Sequence, residues 1–219
     1  MTPRRARVAA LTVAVALAVA VLALVAAMLL YPGGSFTAPA TPGYDLLRNY
    51  LCDLTRARGH IGLANPGAPF AQAGMIVLAV GLGAFWQLAP RLLSRPRLAS
   101  PVRATGTLSA LALLAVPLSP SLRFPHLHTI AIFAAAIPGL FALALVAHGV
   151  LARARRWPLL AVLTVVFLVA SATTAALYLI LLAGVPFPER WPLPTAQKLA
   201  GVALLLWIGV ASTRACASP

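Results

Sequence analysis

Apolar residues fall in six long runs, Val8 to Leu30, Phe70 to Leu88, Ala104 to Leu118, Ile130 to Leu151, Leu159 to Gly184 and Leu199 to Ala211, with polar residues gathered between them. A bilayer core of about 30 Å takes roughly 20 mostly apolar residues per helix. The first, second, fourth and fifth runs meet that length alone. The third and sixth meet it once neighbouring Ser, Thr and Gln residues are included. The pattern predicts an all-α, polytopic integral membrane protein, a bundle of six transmembrane helices in a single membrane domain over 1–219. The expected spans are 8–30, 69–89, 103–121, 127–151, 157–184 and 195–213. Residues 31–68, the longest connector, are expected to form a cap between the first two helices.

Composition removes the soluble alternative. The chain is 61% hydrophobic and 9% charged, too few polar groups to coat a water-soluble core. A net charge of +14 would suggest nucleic acid in a soluble protein. Here the basic residues flank hydrophobic spans, so they are read as topology signals and lipid contacts, with no nucleic-acid partner. Alternate segments hold Arg4, Arg5, Arg7, Arg91, Arg95, Arg97, Arg103, Arg153, Arg155, Arg156 and Arg214, eleven basic residues and no acid. The other side holds Arg48, Arg56, Arg58, Arg123, Arg190 and Lys198 with Asp45, Asp53 and Glu189. The positive-inside rule then predicts a multi-pass protein of the cell membrane with cytoplasmic N- and C-termini and the cap outside. The first run is longer than the apolar core of a signal peptide and reads as a retained anchor. Trp86 and Trp157 at inner ends, with Tyr31 and Trp191 at outer ends, fit an interfacial aromatic belt. Cys52 and Cys216 fall on opposite sides and cannot pair within one chain.

The cap carries most of the remaining polar pattern. Tyr31-Pro32-Gly33-Gly34 stops the first helix. In the segment from Tyr44 to Leu54, Asp45, Asn49 and Asp53 recur at four-residue spacing, and Leu47, Tyr50, Leu51 and Leu54 form an apolar face. That spacing predicts a short amphipathic helix on the membrane surface, polar on one face.

The same stretch resembles a known family. Tyr31-Pro-Gly-Gly, Gly43-Tyr44, Asn49-Tyr-Leu-Cys-Asp53-Leu, then Gly62, Asn65 and Pro66 leading into a span are similar to the domain-of-unknown-function 998 family of membrane proteins. The resemblance covers residues 31–66 and is hydropathic beyond. The usual pattern there is Asn-Tyr-Leu-Ser-Asp-Leu-Gly, whereas this chain has Cys52 in place of Ser and Thr55 in place of Gly. The resemblance implies a multi-helix membrane fold, commonly of six spans, and leaves activity open.

Ionisable groups beside membrane helices are costly and mark candidate sites. The expected ligand-binding set at the outer face is Asn49, Asp53, Arg48, Arg56, His60, Asn65 and Arg123. The arginines would meet phosphate, and Asp53 with Asn49 would hold the cap in place. Pro125-His126-Leu127-His128 opens the fourth span. Residues two apart on a helix diverge by about 200°, so only one of these histidines can face the bundle. No cofactor is expected; His126 and His128 are the imidazoles that zinc would require. The catalytic candidates are Asp53, His126 and His128. No Gly-x-Ser-x-Gly turn supports a serine hydrolase. Ser171, Thr174 and Tyr178 form a polar stripe on the fifth span, read as helix packing, as is Ala79-x-x-x-Gly83 in the second. No charged residue sits at the centre of any span, which disfavours ion-coupled transport. The leading expectation is a lipid-interacting protein with a polar pocket at the extracytoplasmic face. The alternatives are a membrane-embedded lipid hydrolase or transferase using Asp53 with His126 or His128, and an accessory subunit of a membrane complex. Membrane lipids are the expected partners, beside a membrane-protein partner or a homo-oligomer.

Overall fold

The computed structural model describes residues 1–120, 123–185 and 192–217. Six helices follow one another: α1 (Pro3–Leu29), α2 (Ala68–Leu88), α3 (Ala99–Leu118), α4 (Pro125–Leu151), α5 (Pro158–Leu182) and α6 (Pro192–Ala217). All six are long and apolar enough to cross a membrane, so the chain is an all-α, multi-pass membrane protein. Three of them, α1, α4 and α5, open on proline, whose missing N–H falls where a helix has no intrahelical acceptor for it. Arg4, Arg5 and Arg7 sit inside the first turns of α1, which begins earlier than the apolar run.

Small residues set the packing. On α2, a Cβ at Gly81 would lie 2.6 Å from the Ala16 methyl of α1, and one at Gly74 would lie 2.9 Å from that of Ala23. These two glycines let α1 and α2 approach closely. Gly83, singled out with Ala79 by sequence, faces Ala110 of α3 at an ordinary 3.9 Å. From α2 the packing runs to α3, then to α4. α6 closes on α1 and α2 and carries α5 on its far side.

Each helix end belongs to one of two levels. At the arginine-rich end, Arg91 Nε donates to the Ala215 carbonyl at 2.9 Å, and Arg153 Nη1 and Nη2 donate to the Leu92 and Leu93 carbonyls at 2.8 and 3.0 Å. Here the core is dense: Phe85, Trp86, Leu143, Val146, Leu160, Phe167, Trp207 and Ile208 are all buried together. Trp86 and Trp157 belong to this core, not to a lipid-facing belt. Trp86 covers Gly106 and contacts Phe85, while Trp157 lies under the Arg153 guanidinium. Tyr31 is likewise buried, edge-on to Tyr44. Trp191, with Glu189 and Arg190, lies outside the described residues.

The cap folds over the other end, where α1 finishes and α2 and α6 begin. It is an ordered chain of turns rather than the expected amphipathic helix. A turn covers Leu46 to Arg48, and a single 3₁₀ helix covers Leu51–Thr55. Side chains at the helically spaced positions cause the break. Asn49 Oδ1 accepts from the Asp45 amide at 2.9 Å, and Asp53 Oδ2 accepts from the Tyr50 amide at 2.9 Å. Short polar side chains that bond nearby amides compete with the helix and favour turns. The face they share is also inverted, since Asn49 and Asp53 are 0% and 4% exposed.

Candidate functional site

The cap is assembled around Asp53. Oδ2 accepts from Asn49 Nδ2 at 3.0 Å and from the Tyr50 amide; Oδ1 lies 3.1 Å from His60 Nε2 and 3.6 Å from Arg56 Nη1. Arg56 Nη1 in turn stands 2.6 Å from His60 Nε2. Both carboxylate oxygens are therefore committed. Asn49 Nδ2 also donates to the Gly34 carbonyl at 2.8 Å, and Tyr31 Oη donates to the same oxygen at 3.2 Å. Gly34 occupies the left-handed region (φ +79°), where an L side chain is strained.

Asn65 fixes the cap's return to α2. Its Nδ2 donates to the Leu54 and Arg56 carbonyls at 3.0 and 2.9 Å, and its Oδ1 accepts from the Gly67 amide at 3.0 Å. Gln72 of α2 reaches the Thr55 carbonyl at 3.2 Å. α6 supplies three ties that the chain order hides. Thr195 Oγ1 donates to the Leu47 carbonyl, Gln197 Oε1 accepts from the Leu51 amide, and Lys198 Nζ donates to the Asn49 carbonyl. The Lys198 ammonium also stands 5.8 Å from the Tyr44 ring centroid, within cation–π range.

The structure thus gathers Asn49, Asp53, Arg56, His60 and Asn65 and separates the other candidates. Arg48 pairs with Asp45 at 3.0 Å in an exposed turn. Partial desolvation raises the Asp45 pKa. The Leu47 and Arg48 amides with the Arg48 guanidinium outweigh it and hold the carboxyl below its ordinary value. Arg123 precedes α4, exposed and stacked on Phe124. His126 is exposed, whereas His128 is buried with Nδ1 2.7 Å from the Ser119 carbonyl. One of the pair faces inward, as helix geometry requires. Neither is a partner of Asp53, whose imidazole is that of His60. Among the described residues, no three His, Cys, Asp or Glu side chains are grouped as a metal site.

Burial sets the acid–base state of the cap. Desolvation, and then the Asp53 charge, push the Tyr31 phenol up to about 12 and raise Tyr44 further, so both rings stay neutral. The same two causes push the Cys52 thiol up to about 12. Because the thiolate is the reacting species, native Cys52 is expected to react with maleimide at neutral pH more slowly than in the unfolded chain. Labelling of a Cys216→Ser variant in mild detergent and in SDS measures this; equal rates would show an open cap.

Nothing in this arrangement couples a base to a nucleophile. The His60 ring nitrogens face Arg56 and Asp53, while Thr55 Oγ1 is turned to the Cys52 carbonyl at 2.8 Å. Comparison of the chain with protein-family models, with curated proteins and with solved structures returns no match. No family model supports the resemblance of residues 31–66 to the domain-of-unknown-function 998 family.

Proposed function

We propose that this is a cell-membrane protein whose cap end faces outward and binds the headgroups of anionic lipids. One observation carries the reading. Among the described residues the cap-end carboxylates, Asp45 and Asp53, are already paired, with Arg48 and with Arg56 and His60 respectively. Arg58, Arg123 and Lys198 are left without a carboxylate partner among those residues. Lys198, half-buried at the membrane boundary, is held in place by the Asn49 carbonyl and the Tyr44 ring. Phosphate-bearing headgroups are the abundant anions there. Asp53, Asn49 and Asn65 serve this reading as framework, shaping the cap rather than touching the lipid.

The outward placement rests on eleven basic residues and no acid at the opposite end. On that placement Cys216 is reached by an impermeant thiol reagent only after cells are permeabilised. Headgroup binding is tested on the full-length protein in neutral detergent by adding phosphatidylglycerol or phosphatidylcholine and following thermal unfolding. The expected result is stabilisation by phosphatidylglycerol that falls by more than half in a Lys198→Gln, Arg123→Gln variant. It persists in Arg155→Gln, Arg156→Gln, whose arginines lie at the other end. Full retention in the Lys198 and Arg123 variant would overturn the proposal.

A further inference from the structure

α5 carries one inward stripe along its length: Thr164, Phe167, Ser171, Thr174 and Tyr178 recur at three- and four-residue spacing. In the first half of the helix the stripe is covered. Thr164 is 0% exposed and accepts from Trp207 Nε1 at 2.9 Å, and Phe167 is buried against Trp207. In the second half the same stripe loses its cover. Nothing from Leu168 to Val185 is buried, although Tyr178 meets Phe133 of α4 with ring centroids 5.7 Å apart. α4 behaves alike, with no buried side chain between Ala131 and Ala142, and α6 has none between Ala196 and Ala203. The bundle is therefore filled in its arginine-rich half and loosely packed between α4 and α5 in its cap half, where Phe133 and Tyr178 meet.

The shape of this seam selects its occupant. From Phe167 to Tyr178 it runs about 16 Å at the usual helical rise, close to one leaflet of a roughly 30 Å hydrocarbon core. A partner helix would need a groove through the full thickness, whereas this one stops at Phe167, Leu143 and Trp207, all buried. Its walls are apolar apart from hydroxyls, and Thr174 Oγ1 is spent on the Ala170 carbonyl at 2.8 Å. Arg123, directly before α4, places positive charge at the cap end of that helix. We infer that one acyl chain of an anionic bilayer lipid lies in this seam, its tail ending above Phe167 and Trp207. The inference rests on the headgroup reading above and adds where the tail goes.

The test uses the full-length protein in nanodiscs containing phosphatidylglycerol with a mid-chain diazirine, irradiated and mapped by peptide mass spectrometry. Adducts are expected several-fold more often on Phe133, Ser171, Thr174 and Tyr178 than on the outward residues Val169, Ala172 and Ala176. Thr174→Trp fills the seam and should abolish the inward adducts while leaving the outward ones. Ser171→Leu, a smaller filling change, serves if Thr174→Trp does not fold, and should reduce them. Equal labelling of both faces, or inward adducts that persist undiminished in a folded filled variant, would overturn the inference. Inward adducts of the same intensity with phosphatidylcholine would support the seam and count against the headgroup reading alone.

Discussion

Asp53→Asn is expected to destabilise the detergent-solubilised protein by about 3–5 kcal/mol, the usual effect of removing one member of a buried charge pair. The carboxylate is 4% exposed and meets donors on both oxygens. An asparagine offers one acceptor and turns an NH₂ towards one of those donor sets. It also leaves the Arg56 guanidinium, itself 11% exposed, without its counter-charge. Asp45→Asn is the control. Asparagine keeps the oxygen that caps the Leu47 and Arg48 amides, and the lost partner, Arg48, is 50% exposed. Exposed pairs contribute about 0–1 kcal/mol, so this variant should unfold near wild type. Thermal unfolding of both variants decides; equal effects would remove Asp53 from the centre of the cap.

Gly34→Ala should be nearly as damaging for a different reason. The left-handed backbone costs a non-glycine residue about 1–2 kcal/mol. The new Cβ would also fall 2.6 Å from the Pro39 carbonyl oxygen and 2.7 Å from His60 Cβ. Overlap of this kind adds about 1–3 kcal/mol. The Gly34 carbonyl would shift with it, and that oxygen receives both Asn49 and Tyr31. A loss of about 2–5 kcal/mol in thermal unfolding is expected. A wild-type melting curve would mean that the Tyr31–Gly34 turn does not support the cap.

The six spans were legible because apolar runs of bilayer length have no other use in a chain this poor in charge. Their ends were less so. α1 begins at Pro3, and α6 is helical from Pro192, the first described residue there, since hydropathy registers the membrane and helices extend beyond it. At α1 the helix-opening Pro3 marked the start better than apolar content did. In the cap, Asn49, Asp53 and Asn65 stood out by residue type, but their four-residue spacing suggested a helix. The spacing arises instead from side chains bonding back to amides, which a periodicity argument does not separate from a helical face. His60 was visible as a loop histidine, and nothing local marked it over His126 and His128 as the partner of Asp53. The ties from Thr195, Gln197 and Lys198 join residues nearly 150 positions apart, 146 for Gln197 with Leu51. Only the return of α6 to the end where α2 begins brings them together.

Hydrogen exchange of the cap amides tests the ordering by Asp53 most directly. The Tyr50 amide bonds the Asp53 carboxylate, and the Leu51 amide bonds Gln197 across to α6. In the wild-type protein in nanodiscs these two amides should exchange far more slowly than unstructured chain, and in Asp53→Asn both should lose most of that protection while α2 keeps its own. Exchange at the free-chain rate in the wild type, or unchanged protection in the variant, would contradict an ordered cap built on Asp53.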